Sequence, residues 1–190
     1  EQIFIDLLSP AARVLGELWE DDQRDFTEVT IGLWRLQSTL RDLGAAFTGD
    51  NNYHHGSGRA ALLSPVPGEQ HTFGVAMVAD FFRRAGWSVV DGTSVSTDEL
   101  CDIVRTQSFD IIGLSCSGSN GVATIGTLIR KLRNASQNTE VGVMVGGYIF
   151  SNDAELAGRV GADATARDAV HAPLQAENLL QLMSSRQHQT

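Results

Sequence analysis

Glu69-Gln70-His71-Thr72-Phe73-Gly74 lies where the short apolar run Ala60-Ala61-Leu62-Leu63 gives way to the helical stretch Val75 to Ala85. The six residues place one imidazole at the mouth of a strand-to-helix turn. In an open α/β sheet the carboxyl ends of the strands form the crevice where ligands bind, so a His on the first such loop is well placed to ligate a metal or a metal-bearing cofactor. The closing Gly74 lets backbone approach closely.

Downstream of this turn, apolar runs and helical patterns alternate. Strands are expected over Arg59 to Leu63, Trp87 to Val90, Asp110 to Ser115, Val141 to Val145 and, briefly, around Ala162 to Ala166. Helices are expected over Gln70 to Ala85, Thr97 to Gln107, Asn120 to Leu132, Asp153 to Val160 and Ala169 to Met183. Near-continuous apolar strands separated by crossover helices predict a parallel sheet covered on both faces. The fold class is therefore α/β, a flavodoxin-like or Rossmann-like doubly wound sheet of five strands over residues 59–184, with a polar tail at 185–190.

Upstream, Phe4, Leu7, Leu8, Ala11, Leu15 and Leu18 keep a helical period up to the charged turn at Glu20-Asp21-Asp22. A second helix carries Phe26, Val29, Leu33, Leu36, Leu40, Leu43 and Phe47 at steps of three and four, a coiled-coil-like seam. The simplest partner for that seam is the first helix, giving a helical hairpin over 1–48; a subunit interface is the alternative. Residues 49–58 are rich in turn formers and read as a linker, in which the adjacent His54 and His55 are solvated loop residues.

The chain has 190 residues with 14 Lys+Arg against 23 Asp+Glu, a formal charge of −9. Phosphate neutralisation needs clustered basic charge, so direct binding to nucleic acid is not expected. Two cysteines, Cys101 and Cys116, cannot build a disulfide framework or a four-thiolate zinc site, and the reducing cytoplasm is the expected compartment. No run approaches the roughly 18 apolar residues of a membrane span, and the start, Glu1-Gln2-Ile3, lacks a basic leader region. The absence of an initial Met suggests a piece of a longer protein.

Three strand-end loops face one crevice in such a sheet. They are Glu69 to Gly74, then Ser115-Cys116-Ser117-Gly118-Ser119, then Gly146-Gly147. The serine loop can accept a polar group and cap the helix opening at Asn120, while the glycine pair leaves a shelf without side chains. Taken singly, these are also ordinary capping and strand-exit residues. Cys116, beside the crevice and close to a helix N-terminus, is a candidate redox thiol, with simple packing as its plainer role. No catalytic triad order, H-E-x-x-H helix, phosphate-binding loop or G-x-G-x-x-G follows a strand, so an enzyme is not expected.

In order and spacing the three loops resemble the cobalamin-binding domain, whose pattern is D/E-x-H-x-x-G, then S-x-L, then G-G. Glu69, His71 and Gly74 match the first element, Ser115 the second, and Gly146 and Gly147 the third, so the resemblance covers residues 59–183. It implies that His71 is the axial ligand to a tetrapyrrole metal, cobalt or iron, with Glu69, Gly74, Ser115, Ser117, Gly146 and Gly147 around the cofactor. The sequence departs at Ser117, where the family has Leu against the nucleotide tail. Cobalamin-dependent photoreceptor repressors precede this domain with a helical bundle carrying Trp and, nine residues on, Glu-His. Here Trp19 is present, but Val29 and Thr30 stand in place of Glu-His.

With that cap dismantled, the chain resembles the SCHIC domain (sensor containing haem instead of cobalamin) of the AppA/PpaA antirepressor family. The resemblance implies a non-enzymatic regulatory sensor that binds haem in preference to cobalamin. It also implies a repressor of PpsR type as partner and work inside a larger flavin-containing blue-light photoreceptor, in control of photosynthesis genes by light and oxygen. A genuine cobalamin carrier and a cofactor-free interaction domain are the alternatives.

Overall fold

The five apolar runs form five parallel strands, β1 (Ala60–Pro65), β2 (Ser88–Asp91), β3 (Ile111–Ser115), β4 (Gly142–Gly146) and β5 (Ala164–Thr165). In this computed structural model the described residues are 58–69, 72–93, 95–153, 155–166 and 168–187, with the short pieces 3–8, 10–12, 14, 31–32, 35–36 and 38–39 further upstream. The strands lie in the order β2-β1-β3-β4-β5, the flavodoxin-like winding expected from the alternation of runs. Pairing is in parallel throughout, for example Leu63 with Gly113 and Gly113 with Met144.

Central strands in such a sheet are buried on both faces, and for that reason they read as unbroken apolar runs. Ala61, Leu62, Leu63, Ile111, Ile112, Leu114, Val143, Met144 and Val145 are all buried. One face packs on α1 (Phe73–Arg84) and α6 (Ala172–Gln187), joining Leu63, Ile111 and Met144 with Val75, Ala79, Phe82, Ala176 and Leu179. The other packs on α2 (Thr97–Thr106) and α3 (Ser119–Ala135), joining Leu62, Leu114 and Val145 with Leu100, Val104, Ile125 and Leu132. Each large apolar side chain fully buried in these layers contributes about 1.5–3 kcal/mol.

Several boundaries differ from the sequence reading, each for a local reason. β1 runs on through Ser64 and Pro65 because Pro65 still pairs with Ser115, while Ser64 turns its hydroxyl onto Pro65 O (2.7 Å) and Gly92 O (2.9 Å). A short helix not expected from the sequence, α4 (Tyr148–Asn152), precedes the helix expected from Asp153, which forms as α5 (Glu155–Arg159). Gly147 O accepts from Phe150 and Ser151, which starts α4, and the Asp153 carboxylate accepts from Leu156 N at 3.2 Å at the head of α5. α6 extends past the expected tail boundary to Gln187, with the Ser184 and Ser185 hydroxyls turned back onto Gln181 O within the helix.

Backbone proximity divides the chain into two compact units, Glu1–Tyr53 and His54–Thr190. In the first, Ile3–Leu8 forms a π-helical segment. Trp19, Val29, Thr30 and the linker pair His54 and His55 lie outside the described residues, as does all of the expected seam except Leu36. No helix among the described residues is long and apolar enough to cross a membrane.

Candidate functional site

The carboxyl ends of β1, β3 and β4 are knitted together one residue beyond the sheet. Val66 N donates to Ser115 O at 2.9 Å, and Cys116 N donates to Gly146 O at 2.9 Å. After β1 the chain reverses at Val66-Pro67-Gly68-Glu69, where Glu69 N donates to Val66 O at 2.9 Å and Gly68 has φ 89°. Proline followed by glycine with positive φ is the signature of a type II turn, and it aims Glu69 back across the strand ends. The Glu69 carboxylate there accepts from Ser117 N at 2.8 Å, tying the first loop to the second.

Glu69, Ser115, Ser117, Gly146 and Gly147 are thus brought to one edge of the sheet. Gly74 is the second residue of α1 and is exposed at its N-terminal end. His71 and Gln70 lie outside the described residues, between the Glu69 turn and Thr72, the N-cap of α1. The serine loop does not cap its helix as expected: the N-cap of α3 is Gly118, which has no side chain to do so. Cys116 is 1 % exposed and packs in the core layer beneath α3, the plainer of its two expected roles, and Cys101 is buried with it.

The two glycines of the pair have different surroundings. Gly147 has φ 104°, and a Cβ built there would overlap the Cys116 carbonyl oxygen and stand 2.8 Å from its carbon. Its glycine identity is required by the close approach of the two loops. Among the described residues Gly146 has no atom beyond its chain neighbours within 4 Å of where its Cβ would be, and the same holds for Gly74 and Gly118. Among the described residues the space over Gly146 is thus clear of side chains, while that over Gly147 is taken by backbone.

Alternation along the strands puts Gly113 and Ser115 of β3, and Gly142 and Gly146 of β4, on the face beneath α1 and α6. Below the rim the space over these small residues is filled. Leu63 Cδ2 stands 2.6 Å from a Cβ on Gly113, and Ile111 Cδ1 and Leu179 Cδ2 stand 2.8 and 3.1 Å from one on Gly142.

At the same edge α6 opens with a histidine that sequence reasoning passed over. Asp168 Oδ1 accepts from the backbone N of His171 at 2.9 Å and lies 2.7 Å from its Nδ1. The usable signal was Asp168-x-x-His171 followed by Pro173, an acidic residue four positions ahead of a helix start with proline in the first turn.

A five-stranded parallel sheet in this order, with small residues and an acidic anchor at its carboxyl edge, defines a Rossmann-like domain of cobalamin-binding type. The chain belongs to the B12-binding domain family, whose sequence model matches residues 59–174. It is 32% identical over 168 residues to an uncharacterized 20.5 kDa protein in the bchF-crtJ intergenic region of Rhodobacter capsulatus, covering 88% of this chain and 86% of that one. Among solved structures it is similar to the monomethylamine corrinoid protein of Methanosarcina barkeri, with TM-score 0.72 and 19% identity over 95% of this chain and 82% of that one. It is also similar to a cobalamin-binding protein from Desulfitobacterium hafniense, with TM-score 0.59 and 18% identity over 90% and 78%. At such identities the likeness is one of fold.

The residues present fit the two parts of a cobalamin unequally. Among the described residues the rim is clear within 4 Å of a Cβ on Gly74, Gly118 or Gly146, as a flat ring laid there would need. The interior does not match an inserted nucleotide tail: Leu63, Ile111 and Leu179 occupy the floor, and the Glu69 carboxylate occupies the space at Ser117 N.

Proposed function

We propose that this chain is a non-catalytic sensor module that carries a metal tetrapyrrole without an inserted tail, haem in preference to cobalamin, across the carboxyl edge of its sheet. The observation that carries this reading is the contrast between an open shelf at Gly146 and a filled floor at Gly113 and Gly142. Haem has a planar ring and no nucleotide tail, so it needs only the shelf. In this reading His71 would hold the metal and Glu69 holds the first loop against Ser117, with Ser115, Gly74, Gly146 and Gly147 placed to border the ring. When bound, the group would supply a metal centre whose ligation responds to redox state.

As the regulatory output we propose contact with a transcriptional repressor of PpsR type, of the kind used by the SCHIC antirepressors, and coupling to a flavin-containing photoreceptor. The relative from between bchF and crtJ accords with a role beside photosynthesis genes. A net charge of −9 suits docking to the basic face of a DNA-binding protein without contact to DNA itself.

Membership of the B12-binding family favours a second reading, in which the ring is cobalamin. Titrating ferric haem and hydroxocobalamin separately into the chain tests both. A saturable Soret shift with haem and a much weaker corrinoid response supports the first reading; tighter corrinoid binding, lost on His71→Ala, replaces it with the second; no binding of either leaves a cofactor-free interaction domain.

A further inference from the structure

We propose that the outer face of α6 is a self-association surface, on which a second copy of this chain lays its own α6 antiparallel about a two-fold axis at Asn178. The proposal stands apart from ring binding.

A surface helix ordinarily keeps charged residues on the face it turns to water. Here α2 exposes Asp98, Glu99, Asp102 and Arg105, and α3 exposes Arg130 and Lys131. α6 breaks that rule. It buries Ala172, Ala176 and Leu179 against the sheet, and its opposite face turns out Leu174, Gln175, Asn178, Gln181, Leu182 and Ser185, none of them ionisable. Leu174 is 60% and Leu182 61% exposed. On a helix of 3.6 residues per turn these positions all fall within about 60° of Asn178.

The order of the residues identifies the occupant. Leu174 and Gln175 stand four and three residues before Asn178, and Gln181 and Leu182 stand three and four residues after it, so the stripe reads alike in both directions. A two-fold contact sets one surface patch against itself. Two antiparallel copies of α6 crossing at Asn178 therefore place Leu174 opposite Leu182 of the second copy, Gln175 opposite its Gln181, and the two Asn178 amides opposite each other. The shallow crossing angle of helix bundles keeps such stripes in register.

Charge points the same way. At a net charge of −9 two copies repel, and they meet most readily on a face where no acid confronts acid. A self-contact on α2 would bring Asp98, Glu99 and Asp102 together, whereas one on α6 brings no carboxylates together along the stripe. The exposed Arg186, near the C-terminal end of α6, comes to the N-terminal end of the other helix, where the Asp168 carboxylate accepts from His171 N at 2.9 Å. Opposite charges thus meet at both ends of the contact. A foreign partner has no use for a stripe that reads alike in both directions.

α6 has 16 residues and is about 24 Å long. One such face buries less than the roughly 800 Å² per partner of a standard interface, so the dimer is expected to be weak, in the micromolar range.

Sedimentation velocity of the full chain from about 1 μM to about 1 mM tests the proposal, with far-UV circular dichroism as a folding control. A passage from monomer to dimer is expected across that range. Leu174→Glu/Leu182→Glu sets like charges across the axis and should raise the dissociation constant at least about tenfold. Leu174→Lys/Leu182→Glu sets opposite charges across the same axis and should restore dimerisation, now weakened by added salt. Should a charged variant unfold, Leu174→Gln/Leu182→Gln takes its place and should weaken the dimer severalfold. A chain monomeric throughout the range overturns the proposal, including one that binds a different protein through this face. A dimer indifferent to Leu174→Glu/Leu182→Glu, or one that Leu174→Lys/Leu182→Glu weakens as much, overturns it too and leaves ring binding untouched.

Discussion

Replacing Gly147 by alanine puts a methyl group where the backbone of Cys116 already is. Its φ of 104° is one that L side chains rarely adopt, and the new Cβ would overlap the Cys116 carbonyl oxygen. Holding a non-glycine residue in such a conformation costs about 1–3 kcal/mol. Relief requires the two loops to part, which breaks the Cys116 N–Gly146 O bond of 2.9 Å, a net loss of about 1 kcal/mol. The sum, about 2–4 kcal/mol, is a large share of the 5–15 kcal/mol that holds an ordinary domain folded. Gly146→Ala is the control: its Cβ meets nothing within 4 Å among the described residues and its φ is not positive. It should change stability by less than about 0.5 kcal/mol. In urea unfolding followed by circular dichroism, with a slope of about 2 kcal/mol/M, the Gly147 variant should lose about 1–2 M of midpoint and the Gly146 variant under about 0.3 M. The order should reverse in haem titration of the folded proteins, where a methyl standing on the shelf at Gly146 weakens binding severalfold. A Gly147→Ala protein as stable as wild type would refute the close approach of the loops. A Gly146→Ala protein with unchanged haem affinity would refute the use of the shelf.

Glu69→Ala removes the acceptor of Ser117 N, so the Ser117 amide should exchange with solvent at least tenfold faster in hydrogen-exchange NMR, while Glu69→Gln, which keeps an acceptor, should stay close to wild type. Ser64→Ala deletes a hydroxyl that is fully buried against Pro65 O and Gly92 O and should cost about 1–2 kcal/mol in urea unfolding, with no effect on ring binding. At the start of α2, Ser96 and Glu99 form a capping box, and Ser96→Ala should cost about 1 kcal/mol by the same assay. Bonds from the Ser96 hydroxyl and backbone N–H hold the Glu99 carboxyl below its ordinary 4.5. That stabilisation is complete above the ordinary value and is lost as pH falls through the lowered native one, so the gap between wild type and Ser96→Ala should narrow in acid without closing, because the bond from Glu99 N to the Ser96 hydroxyl does not titrate.

The sheet was legible because its central strands are buried on both sides, and burial on both sides leaves a mark that needs no partner to read: Ala61-Leu62-Leu63, Ile111-Ile112 and Val143-Met144-Val145 are apolar without interruption. The errors fall where local signals conflict with tertiary pairing. Proline discourages extension of a strand, yet Pro65 pairs at the strand end, where the next amide, Val66 N, takes up the bonding to Ser115 O. No element is expected over Tyr148-Ile149-Phe150, whose residues prefer strand, yet the Gly147 carbonyl and the burial of Phe150 turn it into helix.

At the site, the sequence identifies which loops meet but not which of their residues are committed to holding the loops together. Gly146 and Gly147 are indistinguishable as letters. Only the position of the Cys116 backbone separates a glycine required by packing from one whose missing side chain leaves space for something else.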